Sequence, residues 1–446
     1  MDPIIIIVAY LLIILALGSF GSASGPAEFF LARRRLGDLF LTGTLTSTIL
    51  GASSTLGMAG LAFKVGLPGA WWMLSGCLGL LALSLIAGRI RESGCYTLPH
   101  LAGSLYDQRM RLASSLIVVV SWIGIIAVQI VASGKVLGAL TGQGEGVLMA
   151  ASALVFIAYT AHGGQRSVVR TDLIQLFIVA FGLIALLWIA VPGSGLDIRD
   201  QSFPTSPAMG GCDVISLVLI VGSTYLIGPD IYSRILSARD GRTASRSALR
   251  SALILVPVAI AIALLGISAR MLFPGIAPEE ALPVLMADLL SPNAQGLVGA
   301  AMIAAFMSSA DTTLLTASSI LTMDIYRSIR PDESPRGLLL ASRITVVLLG
   351  FVSLAVALSA PEIISTLLYA YTVFTSGLLV PLLAGFHRER LGLSSNGALA
   401  ALVGGGGIAL IFGKSYPLLG IAVSAALLFG VSWGGALHQS RRRING

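Results

Sequence analysis

The sequence predicts an all-α integral membrane protein of 13 transmembrane helices, and three observations carry that prediction. Hydrophobic residues make up 56% of the chain against 11% charged, and the mean hydropathy of +0.91 lies far outside the range of a water-soluble domain. Apolar runs of the ~17 to 25 residues needed to cross a hydrocarbon core recur from one end of the chain to the other. The basic residues between those runs fall almost entirely on alternate connections, as they do when one set of loops stays in the cytoplasm.

In order, the runs lie near 3–19, 40–63, 67–88, 112–133, 146–160, 172–192, 213–233, 248–272, 296–323, 338–359, 362–386, 396–412 and 416–437. The first begins "MDPIIIIVAY", with an acid and no basic residue ahead of it, so it reads as an uncleaved span and not as a signal peptide. With the N-terminus outside, the loops near 33–35, 89–111, 166–170, 234–250, 327–343 and 388–390 and the C-terminal tail at 441–443 are cytoplasmic. They hold every Lys and Arg except Lys64, Lys135, Arg199, Arg270 and Lys414. The net charge of +7 thus reports orientation in the cell membrane, with the lipid bilayer as partner, and no nucleic-acid binding is needed to explain it. The run Arg234, Arg239, Arg242, Arg246 and Arg250 reads as topology charge after the seventh span, with Asp240 available to pair with Arg242 or another loop at the inward gate.

Several chemistries are excluded. The longest connections, 193–212, 273–295 and 89–111, are too short to fold as separate domains. Cys77, Cys95 and Cys212 make no disulfide framework, and His100, His162, His387 and His438 are scattered without metal-ligand spacing. In "GGGGIALIFGKSYP" Ile408 stands where a phosphate loop needs glycine, so Gly404 to Gly407 read as helix-packing points. No motif assembles a nucleophile, base and orienter, so the chain does not read as an enzyme, and no obligate protein partner is evident.

The ninth span carries "AAFMSSADTTLLTASSILTMDIY" at 304–326. At about 100° per residue Ala305, Ser308, Thr312, Thr316 and Ser319 follow one stripe, with Asp311 beside it. Hydroxyls alone often bond back to their own helix or glue helices together. An aspartate near mid-span costs roughly 2.5 to 3.5 kcal/mol, and such residues face a bundle interior or an aqueous path. Hard oxygen donors around one carboxylate suit a small cation such as sodium.

Such a site needs carbonyls freed by a second, locally unwound helix. The second span, "GTLTSTILGASSTLGMAGLAFKVGLPGAWW", is weakened by Gly51, Gly57 and Gly60 with Ser47, Ser53, Ser54 and Thr55. The seventh, "VISLVLIVGSTYLIGPDIYSR", is interrupted by Gly222, Ser223, Thr224, Gly228 and Pro229. Each leads a stretch of five spans, so the second half is inserted upside down relative to the first. The expected organisation is an extra helix and loop at 1–39, inverted repeats at 40–194 and 195–387, and two peripheral helices with a basic tail at 388–446.

"GGQRSVVRTDLIQ" at 163–175, "PDIYSRILSARDGRTASRSALRSA" at 229–252 and "AAFMSSADTTLLTASSILTMDIYR" at 304–327 resemble signatures of the sodium:solute symporter family, which includes proline, pantothenate, sialic acid and sugar carriers. The resemblance runs from span two to span eleven. It implies a leucine-transporter-like core of five plus five helices, with one extra span before and two after. It also implies Na+ as the coupling ion, held by the backbone carbonyls of Ser47, Leu50 and Ala305 and the hydroxyls of Ser308 and Ser309. Some members hold a second sodium between an aspartate opening span six and hydroxyls further along span nine; here those positions are Asp172, Asp311 and Thr312. Asp311 departs from the pattern, being an acid where a hydroxyl stands in the well-described members. Two close carboxylates do not both ionise cheaply without a cation between them, so a second sodium or a proton is expected there. Asp172 has the alternative role of a helix N-cap beside Arg170.

The solute is expected between spans two and seven, beside Ser53, Ser54, Trp122, Gln129, Ser223, Tyr225 and Tyr371. With no Arg or Lys facing the core in spans two, four or seven to grip a dianion, an amino acid or a monocarboxylate is expected first, then a sugar or a vitamin-like acid. The predicted function is sodium-coupled symport of a small organic solute by alternating access. A proton-coupled carrier or a solute sensor on the same fold is the alternative. A passive channel is disfavoured because polarity concentrates at mid-span.

Overall fold

The computed structural model describes residues 2–19, 25–360, 362–413 and 415–444, and among them every regular element is a helix. Lys414 lies outside the described residues, as do the side chains of His438, Arg441, Arg442 and Arg443.

The chain begins with α1 (Pro3–Ser19) and the short α2 (Pro26–Leu31), then enters a broken pair, α3 (Asp38–Ile49) and α4 (Met58–Val65), with a π-helical turn at Ser53–Gly57 between them. α5 (Trp71–Glu92) follows, then α6 (Leu98–Leu105), whose start the Thr97 hydroxyl caps by accepting from the His100 N–H. α7 (Gln108–Thr141) is capped in the same way by Asp107 and ends at Gly142 with φ 67°. α8 (Glu145–Ser194) breaks at Gly164, where φ is 65° and a side chain would sit 2.6 Å from the Phe29 ring.

A second broken span comprises α9 (Gly211–Leu217), a π-helical turn at Val218–Gly222, α10 (Ser223–Ile227) and α11 (Pro229–Ser237). Gly228 leaves the helical region with ψ 126°, and Pro229, lacking an N–H to satisfy, starts the next helix. α12 (Gly241–Leu272) precedes α13 (Ala281–Leu289), and α14 (Pro292–Ile320) runs through a π-helical turn into α15 (Arg327–Ile329). The remainder is α16 (Pro335–Ser359), α17 (Ile363–Gly385), α18 (Arg388–Leu391), α19 (Ser395–Phe412) and α20 (Leu419–Ile444).

Among the described residues nine helical segments are long and apolar enough to cross a membrane, ten if α3 and α4, bent by 59°, form one span. Pro3–Leu17 and Leu419–Gly434 are shorter apolar helices. The 13 expected spans exceed that count partly because α8, 50 residues long, is one helical run where the sequence reading placed spans five and six. Gly164 divides it, and the helix resumes ahead of Asp172, which is therefore not an N-cap.

α14 is the axis of the molecule: 94% of its membrane-length window is buried, against α7, α8, α1 and α16. Elsewhere the helices approach through small residues. A Cβ on Gly79 would strike the Gly222 carbonyl, and one on Gly266 would strike the carbonyl of Ala59, so α5 and α12 touch the broken spans backbone to backbone. Gly79→Leu should cost about 1–3 kcal/mol or more through overpacking, read as a lowered thermal midpoint in detergent. Gly404, Gly405 and Gly406 pack closely against Leu427, Ser424 and Ile117, whereas Gly407 meets nothing within 4 Å.

One end of the bundle is tied shut by basic residues. The Leu36 N–H donates to the Ser237 carbonyl (3.1 Å), the Arg239 N–H to the Leu36 carbonyl (2.9 Å), and Arg91 to the Ala238 carbonyl. Asp38 pairs with Arg239 at 3.5 Å and Arg250 at 3.6 Å, and buried Asp324 takes bonds from Arg111 (2.7 Å) and Thr97 (2.6 Å). Asp240 does not pair with Arg242; it caps α12 through the Thr243 N–H and meets Arg239 at 3.2 Å. That N–H bond holds its carboxyl below the usual carboxylate range.

Candidate functional site

Where α3 ends, the carbonyls of its last turn lose their next-turn amides and need other partners. The Thr48 carbonyl accepts from the Ser309 hydroxyl (2.8 Å) and the Ile49 carbonyl from the Ser54 hydroxyl. The Ala52 N–H on the far side of the break donates to Gln129 Oε1 at 2.9 Å. Leu50, at φ −79° and ψ 66°, is the turning point. The break is thus held open by side chains of α7 and α14.

The five main-site residues, Ser47, Leu50, Ala305, Ser308 and Ser309, are all buried, and Ser308 and Ser309 tie α14 to the last turn of α3 through Ser47 and the Thr48 carbonyl. The Ser47 hydroxyl donates to Ser308 Oγ (2.9 Å), which donates to Asp172 Oδ1 (2.6 Å). Asp172 Oδ2 accepts from the Thr44 hydroxyl and from Arg234 Nη2 at 3.3 Å. Arg234 also bonds the hydroxyls of Thr48 and Thr312, and is itself 0% exposed.

This overturns two expectations. Arg234 is not interfacial topology charge, and an arginine does face the core within the seventh span. The cause is the break at Gly228: the chain restarts as α11 inside the bundle, so a residue that pattern alone places in a loop lies in the interior. The cation expected between the two carboxylates is at least partly supplied by the protein. Asp311, 1% exposed, accepts from the Thr160 hydroxyl at 2.7 Å through Oδ1; among the described residues neither its Oδ2 nor Arg234 Nη1 has a hydrogen-bond partner. Such a carboxyl oxygen calls for a proton, a water or an ion.

Beside this junction lies a cavity of about 30 Å³, little more than a water's room. Of the solute candidates, Ser53, Trp122, Gln129, Tyr225 and Tyr371 line it, and Ser54 and Ser223 do not. Ser54 instead bonds within the break, to the carbonyls of Ile49 and Gly51. Thr48, Ser309 and Thr313 also line the cavity, so the candidate ion and solute sites adjoin. Trp122 is braced edge-on by Phe374, ring centroids 4.9 Å apart. The sequence reading missed Asp230, another lining residue, although an acid directly after the Gly228–Pro229 interruption was a usable signal. A larger cavity, about 490 Å³, opens between Leu61, Trp72, Met209, Leu217 and Tyr369, on the far side of the breaks from the tied end.

The family model described as "Sodium:solute symporter family" matches residues 29–405. The sodium/pantothenate symporter of Escherichia coli K12 is 28% identical, over 91% of this chain and 89% of that protein. The sodium/proline symporter of the same organism is 25% identical, over 88% and 84%. A substrate-bound, outward-open structure of a sodium-coupled sialic acid symporter superposes with a TM-score of 0.83 at 17% identity, covering 96% of this chain and 97% of that one. MhsT in complex with L-phenylalanine gives 0.58 at 15% identity, covering 89% and 99%. These two likenesses show a shared leucine-transporter-like fold.

Proposed function

The chain belongs to the sodium:solute symporter family, and we propose that it imports a small organic solute by sodium-coupled alternating access. Its family and relatives are transporters, not enzymes. The observation that carries the reading is the meeting of the broken end of α3 with Ser308 and Ser309 of α14, beside a small cavity of mixed hydroxyl, aromatic and aliphatic lining. Sodium sits, in this reading, among the carbonyls of Ser47, Leu50 and Ala305 and the two serine hydroxyls. Such a donor set replaces the ion's hydration shell with hard oxygens. In this reading there are thirteen spans, with α8 counted as two and α1 and α20 included, and the basic loops set the N-terminus outside and the C-terminus in the cytoplasm.

One sodium per cycle is the stoichiometry we favour. Arg234 already neutralises Asp172, which leaves Asp311 to be satisfied by a proton instead of a second sodium. One sodium falling through ~100 mV supplies about 2.3 kcal/mol, and a tenfold gradient about 1.4 kcal/mol more. Together these concentrate a neutral solute several hundredfold. The test is uptake into proteoliposomes with sodium or potassium outside: a sodium-dependent signal is expected, and equal uptake in both buffers overturns the proposal.

The tied basic end and the larger opposite cavity correspond to a conformation closed to the cytoplasm. Asp38→Asn removes both exposed ion pairs, each worth roughly 0.2–1 kcal/mol. A few-fold rise in the inward-open population is the expected result, measured as faster alkylation of a cysteine introduced at Ser237.

A further inference from the structure

We propose that the transported solute carries a positively charged nitrogen and that Asp230 is the side chain that recognises it. The inference rests on the symporter reading above and deepens it. Asp230 is the one acidic side chain lining the small cavity, and no Lys, Arg or His lines it. Arg234, one helical turn further along α11, directs Nε and Nη2 to Thr48, Asp172 and Thr312, and among the described residues makes no ion pair with Asp230. The charge of Arg234 reaches this carboxyl only from a turn away and no cation touches it among the described residues, so a ligand ammonium supplies the direct contact.

The rest of the cavity has the same preference. Trp122, Tyr225 and Tyr371 share the lining with Asp230, and aromatic faces attract cationic nitrogen, including quaternary nitrogen that cannot donate a hydrogen bond. Asp230 also sits in the first turn of α11, where a helix favours an acidic side chain, so its position is fixed by the fold. Ser309 and Thr48 approach the same cavity from the proposed sodium site. The lining is therefore matched chemically to a zwitterion, its ammonium toward Asp230 and its carboxylate toward the ion, bound in a form of the site wider than this closed one. A solute bearing only a carboxylate is repelled by Asp230, and a neutral sugar donates hydroxyls to it but brings no counter-charge. Of the solute classes expected from the sequence, amino acids and other amines remain and plain monocarboxylates fall away.

The test uses the purified full chain in sodium buffer, with potassium and not choline as the replacement cation. Choline, proline, propionate and glucose serve as probes of thermal stabilisation and of proteoliposome uptake. Stabilisation and uptake are expected for proline or choline and not for propionate or glucose. Asp230→Asn should weaken binding at least a hundredfold, and Asp230→Glu should stay within about tenfold of the parent. Both variants are checked for monodisperse elution in detergent. A response to neither nitrogen-bearing probe, a stronger response to propionate or glucose, or unchanged affinity in Asp230→Asn overturns the proposal. The two readings fail separately. Proline or choline uptake indifferent to sodium removes the symport and leaves the charge recognition, whereas sodium-dependent uptake of glucose or propionate does the reverse.

Discussion

Arg234→Met should destabilise the protein by about 3–5 kcal/mol, the cost of leaving a buried carboxylate without its partner. The guanidinium is the pivot of a cluster in which every member is at most 6% exposed: Asp172, Thr48 and Thr312 all bond it. Removing it strands Asp172, whose other partners, the hydroxyls of Ser308 and Thr44, carry no charge. The expected readout is a fall of many degrees in the detergent thermal midpoint, together with loss of membrane-inserted protein. Arg234→Met combined with Asp172→Asn removes both charges and should recover much of the loss, since paired buried charges often exchange for neutral groups at little net cost. A single variant as stable as the parent shows that the pair does not exist in the folded protein.

Ser308→Ala should raise the sodium concentration needed for half-maximal uptake by 10- to 100-fold, since a hydrogen bond to a charged group contributes roughly 1.5–3 kcal/mol. The hydroxyl stands between Ser47 and Asp172, so its loss removes a proposed ligand of the ion and leaves both neighbours short of a partner. Uptake should recover in part as external sodium is raised, which separates a ligand defect from a folding defect. Ser309→Ala, which frees the Thr48 carbonyl, should act in the same direction. Uptake by Ser308→Ala with unaltered sodium dependence removes the serine from the ion site.

Much of this was legible because periodicity and composition report on solvent. The polar stripe of α14 could be placed inward because a carboxylate and hydroxyls recurring on one helical face are tolerated in a membrane only where protein surrounds them, and the helix is buried as that argument requires. The two broken spans were visible as glycine and proline within apolar runs, and the structure breaks at Leu50 and Gly228. Arg234 was not legible: five arginines in a row of loop-like spacing look alike in sequence, and only the restart of the chain at Pro229 separates the buried one from Arg239 and Arg250. Asp230 was missed because the glycine and proline ahead of it read only as an interruption of the span, and not as turning the next residue toward a cavity. Gly164 shows the converse: the basic stretch 166–170 reads as a loop between spans five and six, yet the chain stays helical through it and departs from helical geometry at one glycine.

α11 joins these observations mechanically. Within its nine residues it carries Asp230 at one end and Arg234 at the middle, and its last residue accepts the bond from Leu36. At ~1.5 Å per residue that is a rigid rod of roughly 14 Å, hinged at Gly228. Because the three residues ride on one rod, the cavity at Asp230, the buried charges at Arg234 and the inner mouth at Ser237 are joined without an intervening joint.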